Sequence, residues 1–496
     1  MKMFVSIVLT ALQFTMLSPT AIPQRQGNEG LPDQRADAVE HNLASMYFLE
    51  GEAVVHADLL RRMTDLQVPG VTIAAISNGQ LDWARGYGVT ELGGASVTPE
   101  TLFAAESMSK PITALAVLKL YEERRVDLDR NVNEYLKRWK LPESPFPGTK
   151  TVTVRQLLTH MSGIGTHNGE LYDPSKPLPT LLNDLDGIAP SRTPAVRIEE
   201  TPGTRFHYSN GGYEVLELLI EDVTGESFTS FVRTNVLLPT GMTRSSYDVP
   251  LSDGLAIHAA TAYLGDHAIP PRKYYNSNAA AGGLWSTPTD MAKLLIEVQR
   301  EYAGKSSRIL KQSTIRQMLV PGPQMMPGML QGLGFVIGGK SGTHFMEHGG
   351  SGIFHDEMVA YFQGNRNGLV VMANGSSGGV LVEEVLRSAS AVYGWPDFRQ
   401  EPHAAIAFDA STKDKYLGKF GPIKFVPSHS GLAVEMPAGN APEQVYMDRP
   451  GHFFVLGGPQ EFTFSDEEGG RMHTVRFVTP MANLLWQRAS EEPTGR

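Results

Sequence analysis

The chain has 496 residues, with 43 Lys and Arg against 53 Asp and Glu, a formal net charge of −10 and no cysteine. A negative chain without a long basic run is unsuited to nucleic-acid binding, and the lack of cysteine excludes disulfides, thiol catalysis and thiolate metal ligands. The length predicts two or three domains with enough apolar material for a sizeable core.

Residues 1–21 resemble a secretory signal peptide. Lys2 precedes an apolar stretch from Phe4 to Leu17, and small residues follow as far as Ala21. The stretch is shorter than the ~20 residues of a membrane-spanning helix. We therefore expect cleavage after Ala21, export to the periplasm or out of the cell, and no membrane span afterwards. Gln13 interrupts the apolar stretch and leaves an uncleaved anchor as the alternative.

A polar, aperiodic stretch over residues 22–45 predicts a flexible lead-in, followed by a folded domain over residues 46–396. This domain opens with two apolar segments, VTIAAIS and LDWARGYGV, on either side of Asn78-Gly79. Asn-Gly between two such segments is typical of a β-hairpin with a two-residue turn.

Ser107 and Lys110 lie three residues apart in AESMSKPITALAVLKLYEE, where a helix is expected to begin near Met108. At positions i and i+3 the hydroxyl and the amine share one helix face. A serine hydroxyl needs a base beside it, and a lysine amine is a base near neutral pH only when burial or a nearby cation lowers its pKa. The mostly apolar helix predicts that burial. About one S-x-x-K is expected by chance in a chain of this length, so the pair alone does not indicate a site. It becomes informative because two further motifs follow it.

Tyr208 and Asn210 form the second motif, on a loop before a helix predicted over Tyr213 to Val223. From there side chains can point into a cleft. A phenol beside an ammonium group shares its proton more readily than in water, and an amide can hold a substrate carbonyl. Tyr274 and Asn276 have the same spacing without the helix, so we interpret them as an ordinary loop.

His348, Gly349, Gly350 and Ser351 form the third motif, on a predicted strand. Adjacent glycines weaken a strand unless a ligand or another backbone must come close. A substrate lying along a sheet edge requires such an approach. The backbone N–H of Ser351, together with that of Ser107, would then hold a developing oxyanion.

Strands near both ends of the domain, with helices between them, predict an α+β fold in which a mainly antiparallel sheet is flanked by helices and packs on a helical subdomain. Strands are expected through 333–338, 357–363 and 369–373, and a helix over 380–393. The site would lie where the sheet meets the helical region.

Two other segments differ from the rest of the chain in composition and residue pattern. The stretch 167–195 contains five prolines, and because long loops often cover active sites we expect a lid here. Residues 404–489 contain short alternating runs separated by glycine-rich turns. They predict a small all-β domain, with a barrel as one form, whose expected role is packing or oligomerisation.

The order S-x-x-K, then Y-x-N, then a glycine-containing strand motif resembles that of the penicillin-recognising serine hydrolases, in particular the class C β-lactamase and D,D-peptidase branch. The similarity spans about Leu59 to Tyr393 and includes VPG, RQLLTHMSG and AGGLWS. It implies a β-lactamase/transpeptidase-like fold and a serine hydrolase that forms an acyl-enzyme on an amide, β-lactam or ester carbonyl.

The resemblance also implies roles for the motif residues. Ser107 would be the acylated nucleophile, and Lys110 and Tyr208 would share the proton transfer. Asn210 would position the substrate amide, and the strand from His348 to Ser351 would flank the substrate. We expect a small-molecule or peptide substrate, no cofactor and no metal, and the sequence leaves the oligomeric state open.

One position departs from the family pattern. Where β-lactamases and transpeptidases usually have a lysine that attracts the substrate carboxylate, this chain has His348. With an unperturbed pKa of about 6.5, histidine is mostly neutral at pH 7. The pull on anionic substrates should be weaker and fall further as pH rises. Relatives with histidine here include esterases and aminopeptidases acting on D-residues. The alternatives to a β-lactamase are therefore an esterase, a D-aminopeptidase, a D-carboxypeptidase and a non-catalytic binding module of the same fold.

Two rival sites are compatible with parts of the sequence. Ser377 lies in GSSGG (375–379), which fits the G-x-S-x-G pattern of an α/β-hydrolase, but this position leaves only ~120 residues for the rest of such a fold. His344, His348 and His355 would be candidates for a metal site. The glycines after His348 disfavour a helix there, and no HExxH motif is present.

Overall fold

A computed structural model of the protein describes residues 32–148, 151–168, 170–173, 175–264, 267–271, 278–375, 377–429, 431–436, 442–479 and 482–489. The predicted signal peptide, 1–21, and the loop with Tyr274 and Asn276 lie outside these ranges. Within them, no helix combines the length and the apolar character that crossing a membrane requires.

Helices and strands alternate through the first domain, and the second consists of strands that follow a short 3-10 helix, Ala410–Lys415. The α-helices in the described ranges are α1 (Pro32–Glu40), α2 (Leu59–Asp65), α3 (Ser109–Glu122), α4 (Val154–Leu158), α5 (Leu181–Asp186), α6 (Asn210–Thr224), α7 (Phe228–Val232), α8 (Leu238–Thr240), α9 (Asp253–Ala256), α10 (Ala279–Gly282), α11 (Pro288–Tyr302), α12 (Gln312–Met318) and α13 (Gly378–Tyr393). The strands of the first domain and its linker are β1 (Tyr47–Leu49), β2 (Gly70–Ser77), β3 (Gln80–Gly88), β4 (Phe103–Ala104), β5 (Ala262–Leu264), β6 (His267–Ile269), β7 (Trp285–Ser286), β8 (Gln324–Met326), β9 (Met329–Gln331), β10 (Val336–Gly338), β11 (Phe345–Ser351), β12 (His355–Tyr361), β13 (Gly368–Ala373) and β14 (Glu401–His403). Those of the second domain are β15 (Gly418–Phe420), β16 (Ile423–Ser428), β17 (Gly431–Glu435), β18 (Glu443–Arg449), β19 (His452–Val455), β20 (Glu461–Glu468), β21 (Arg471–Thr479) and β22 (Ala482–Gln487).

An eight-stranded antiparallel sheet forms the centre of the first domain. Its order is β3-β2-β13-β12-β11-β10-β9-β8, and every neighbouring pair is antiparallel. The β2–β3 hairpin turns at Asn78 and Gly79, whose φ angles are +52° and +74°, as its two-residue turn requires. The predicted α+β fold with a mainly antiparallel sheet is confirmed.

Different helices cover the two faces of this sheet. On β2, Ala74 and Ile76 belong to the core that includes α3, α6 and α11, whereas Val71, Ile73 and Ala75 belong to the core beneath α13. Because successive residues of a strand point to opposite faces, one continuous apolar strand serves both cores. Helix α3, which follows Ser107, lies in the first of them.

Strand β11 has a free edge along its second half. β10 pairs with β11 only from Phe345 to Glu347, whereas β12 pairs with it from Phe345 to Ser351. In the described part of the chain, the segment from His348 to Ser351 therefore has a paired strand on one side alone. The backbone groups of such an edge can bond an extended ligand.

The expected flexible lead-in is wrong for residues 32–45, which include helix α1. Ala36 and Val39 are buried in the core beneath α13, and Arg85 of β3 forms a 2.6 Å ion pair with Glu40. Only two residues of α1 are buried and apolar. The helix therefore has too little hydrophobic periodicity to be recognised in the sequence.

Strands β15 to β22 form a second eight-stranded antiparallel sheet in chain order. Phe420, at the end of the first strand, bridges to Arg488, just after the last, so the sheet curls towards a barrel. Its core is rich in phenylalanine and includes Phe425, Phe453 and Phe464. The predicted C-terminal all-β domain is confirmed.

Replacing Ala36 with aspartate should destabilise the first domain, because the carboxylate would be buried beside α13 without a partner. We expect the melting temperature, followed by circular dichroism, to fall by about 5 °C or more. Gln34→Asp adds the same charge at an exposed position of α1 and should leave it nearly unchanged. Equal melting temperatures for the two variants would show that α1 does not pack on this core.

Candidate active site

Ser107 lies in a 3-10 turn, Glu106–Met108, that leads into α3. The helix begins at Ser109, one residue later than predicted, so Lys110 is in its first turn. The Lys110 Nζ donates to the Ser107 Oγ at 2.9 Å and to the backbone carbonyl oxygen of Ala281 at 2.8 Å. The hydroxyl and the amine that the sequence places on one side of the helix are thus in direct contact.

Burial makes the Lys110 amine a base near neutral pH. The side chain is fully buried, and burial lowers the pKa of the amine to about 7, against the raising effect of the Glu106 and Glu214 charges. The residues of α3 that surround it are almost all buried as well. An amine with this pKa is substantially neutral at pH 7, and only the neutral form accepts a proton.

Tyr208 lies over this amine, with its ring centroid 4.8 Å from Lys110 Nζ. Burial raises the pKa of the phenol, and a side-chain hydrogen bond with Ser107 opposes that rise. A phenol beside an ammonium group was expected to lose or share its proton more readily than in water; the raised pKa contradicts easier loss, because desolvation is the largest effect on this group, and leaves a shared proton as a prediction. Tyr208 keeps its proton and can both donate and accept a hydrogen bond.

His160 supports Tyr208, a role that the sequence did not reveal. The two ring centroids are 4.4 Å apart, and the His160 Nδ1 accepts the backbone N–H of Ser209 at 3.1 Å. Burial, followed by the charge of Lys110, lowers the pKa of His160, so the imidazole is neutral. Its place in the RQLLTHMSG segment was the one available signal.

Asn210 is the first residue of α6, and its side chain lines a cavity together with Ser107. The Ser209 hydroxyl caps this helix by accepting the N–H three residues further on, at 3.0 Å. The Asn210 Nδ2 also lies 3.5 Å from the Oδ1 of Asn168, which belongs to the proline-rich stretch 167–195 and lines the same cavity. This stretch therefore borders the site, and its action as a lid stays a prediction.

His348 is buried on β11, with its Nδ1 donating to the carbonyl oxygen of Gly349 at 2.8 Å. Burial and the charge of Lys110 lower the pKa of the imidazole to about 3. The ring is therefore neutral throughout the physiological pH range. The expected loss of attraction for anionic substrates as pH rises through a pKa near 6.5 is wrong, because the ring carries no charge to lose.

Gly349 and Gly350 let neighbouring groups approach the strand. A β-carbon on Gly350 would lie 2.9 Å from the carbonyl oxygen of Ala105, and one on Gly349 would lie 2.9 Å from the Oε2 of Glu357. The contact with the Ala105 backbone leaves no room for a side chain at Gly350, whereas the Glu357 carboxylate beside Gly349 lies at the end of a flexible side chain. The missing side chain of Gly350 thus lets β11 lie close to the backbone just before Ser107.

Two cavities meet at these motifs. The smaller, of about 350 Å³, is lined by Ser107, Asn210 and Ser351. The larger, of about 890 Å³, is lined by Ser107, Tyr208 and the whole third motif. Lys110 is buried beneath Ser107 and completes the group. The structure therefore brings together every residue that the sequence proposed for the site.

The rival sites do not form. Ser377 stands between β13 and α13, but the sheet is antiparallel, whereas an α/β-hydrolase elbow lies on a parallel one. The Nδ1 atoms of His344, His348 and His355 each face a different backbone carbonyl oxygen. Across the described ranges, no three His, Asp or Glu side chains are placed to hold a metal ion.

The chain is similar to known sequences. Residues 56–392 match the family model described as Beta-lactamase. Teichoic acid D-alanine hydrolase of Staphylococcus aureus is 28% identical over 235 residues, which cover 46% of this chain and 54% of that protein. Protein flp of S. aureus (strain MRSA252) is 30% identical over 234 residues, which cover 45% and 43%. The chain thus spans about half the length of the curated relatives it matches.

Solved structures share its fold. The octameric penicillin-binding protein homologue from Pyrococcus abyssi has a TM-score of 0.57 at 23% identity, covering 87% of this chain and 97% of that one. D-amino acid amidase from Ochrobactrum anthropi SV3 has a TM-score of 0.56 at 20% identity, covering 72% and 98%. These likenesses establish the fold alone. Because the family match covers most of the chain, the protein belongs to the β-lactamase family, within the superfamily of serine β-lactamases and penicillin-binding proteins that the sequence motifs predicted.

Proposed function

We propose that the protein is a serine hydrolase that cleaves an ester or an amide through an acyl-enzyme on Ser107. The observation that carries this proposal is the 2.9 Å hydrogen bond between the Ser107 hydroxyl and the fully buried Lys110 amine. Burying an amine costs free energy that a binding module has no reason to spend, whereas a nucleophile requires such a base.

In the first step the Ser107 Oγ attacks the substrate carbonyl carbon, and its proton passes to the neutral Lys110 amine. The backbone N–H groups of Ser107 and Ser351 receive the oxyanion. Collapse of this intermediate expels the alcohol or amine, which takes its proton from Lys110 through the Tyr208 hydroxyl and leaves an ester on Ser107. Water then attacks that ester and gives a proton to the neutral Lys110 amine. The second intermediate expels the Ser107 Oγ, which takes this proton back from Lys110, so the carboxylic acid leaves and the serine hydroxyl is restored.

We further propose a D-aminoacyl ester or amide as the substrate, in preference to a β-lactam. The neutral His348 offers no fixed charge to a β-lactam carboxylate. Among the similar proteins, one is named for D-alanine hydrolysis from teichoic acid and another for D-amino acid amides. The teichoic acid relative suggests action at the cell envelope, in keeping with the predicted signal peptide, so we propose action outside the cytoplasm.

Replacing Lys110 with alanine should slow the acylation of Ser107 by about 10²–10⁴-fold, because the base is lost. The rate is measured with a fluorophosphonate probe and checked with p-nitrophenyl acetate. Lys119→Ala is the matched control, since Lys119 lies on the same helix with its Nζ near the Ile309 carbonyl oxygen, away from Ser107. Ser107→Ala sets the baseline. A Lys110→Ala rate within about threefold of wild type would remove Lys110 from the mechanism.

The pH profile should report Lys110 and not His348. For a neutral ester, kcat/KM should rise with pH through about 7, as the Lys110 amine loses its proton. Between pH 6 and pH 8 the ratio of kcat/KM for an anionic and a neutral ester should stay constant, because His348 has a pKa of about 3 and does not titrate there. A ratio that falls with pH would show that His348 carries charge in this range.

A substrate panel should separate the candidate activities. We expect turnover of p-nitrophenyl esters and D-alanyl p-nitroanilide, little turnover of nitrocefin, and an L-alanyl anilide cleaved more slowly than its D form. Dominant hydrolysis of nitrocefin would favour a β-lactamase. No turnover, with no covalent adduct by mass spectrometry, would favour the binding module.

A further inference from the structure

Glu106, the residue before the proposed nucleophile, has an unusual backbone conformation. Its φ is +43°, in the left-handed region that residues other than glycine rarely adopt. It is only 6% exposed, and its carbonyl oxygen accepts the Ser109 hydroxyl at 2.7 Å. Glycine would suit this backbone better, so a buried side chain stands here against the local preference.

The Glu106 side chain occupies the space beside the end of β11. A β-carbon on Gly350 would lie 3.0 Å from the Cβ of Glu106, and one on Gly352 would lie 2.6 Å from its Oε1. The two glycines thus leave room for this one side chain. Glu106 also lines the smaller cavity together with Ser107 and Ser351.

We propose that Glu106 is a positioning residue that sets the separation between the backbone N–H groups of Ser107 and Ser351. The inference rests on the proposed function, in which these two groups receive the oxyanion. The N–H of Ser107 directly follows Glu106 in the chain. The N–H of Ser351 lies between Gly350 and Gly352, and the missing side chains of these two glycines make room for the Glu106 side chain. Donors of this kind stabilise a transition state only when their positions are fixed in advance.

The charge of Glu106 acts on the base as well. It raises the pKa of the Lys110 amine and so opposes the effect of burial. The titratable groups that face this amine are Glu106, Glu214, Tyr208, Tyr213, His160 and His348. Next to Glu106, burial first and the Glu106 charge second raise the pKa of Asp356, which is therefore held towards its neutral form. Removing the Glu106 charge should make the Lys110 amine neutral at a lower pH.

Two substitutions separate the shape of Glu106 from its charge. Glu106→Gln keeps the size of the side chain and removes its charge. The acid limb of the pH profile, where the acylation rate rises as Lys110 loses its proton, should move to lower pH by about 0.5–1 unit. Glu106→Gly suits the backbone but empties the space, and acylation by a fluorophosphonate at pH 8 should slow by about 100-fold. Circular dichroism and the melting temperature check folding. Glu122→Gln, at the other end of α3, should change neither the limb nor the rate.

A third substitution tests whether the glycines act through Glu106. In Gly352→Ala the added methyl group would displace the Glu106 carboxylate, and acylation should slow by about tenfold. In a Glu106→Gly background the same change should have no further effect, because there is no carboxylate to displace. Gly350→Ala serves as a contrast, because its β-carbon would also meet the Ala105 carbonyl oxygen, which stays in place when Glu106 is replaced. This substitution should therefore slow acylation in both backgrounds.

Any one of three results would overturn the inference. The acid limb of the pH profile does not move in Glu106→Gln, or acylation in Glu106→Gly stays within about threefold of wild type. The third is a Gly352→Ala effect of the same size in both backgrounds. Failure of the proposed function has a different signature, in which wild type and Ser107→Ala react equally slowly with the probe. Labelling that depends on Ser107 but is insensitive to Glu106 would overturn the positioning role alone.

Discussion

The removal of a single amine from water is the constraint on which the site depends. Lys110 has no exposed surface, and its neutral form is favoured because burial penalises charge. The same dry surroundings raise the pKa of Tyr208 and lower those of His160 and His348. A hydroxyl and two imidazoles thus stay uncharged around an amine whose pKa of about 7 lets its protonation change near neutral pH.

The motifs could be predicted from the sequence because each is local. The contact of Ser107 with Lys110 follows from helical spacing, and Asn78-Gly79 fixes its own turn. The charge state of His348 could not be predicted, since it depends on burial by segments far away in the chain. Glu106 belongs to no recognised motif, and its importance emerges only when its φ angle and the two glycines opposite are seen together.

The free edge of β11 was also beyond the sequence. It exists because β10 is three residues long and stops opposite Glu347. Strand patterns predict that a segment is extended, but they do not show where its partner ends. The single buried stripe of α1 was missed for a related reason, since its support comes from α13 and from Arg85 and not from its own residues.

The position of β2 has a consequence for how the chain is made. Its neighbours are β3, which follows at once, and β13, which pairs Ala373 with Val71 across most of the domain. The main sheet therefore cannot close until translation has passed residue 373, and α1 waits longer still for α13. Until then the β2–β3 hairpin, whose strand β2 is strongly apolar, lacks its partner strand β13. Pairing between such distant segments is typical of chains that fold slowly and that expose apolar surface before their sheet closes.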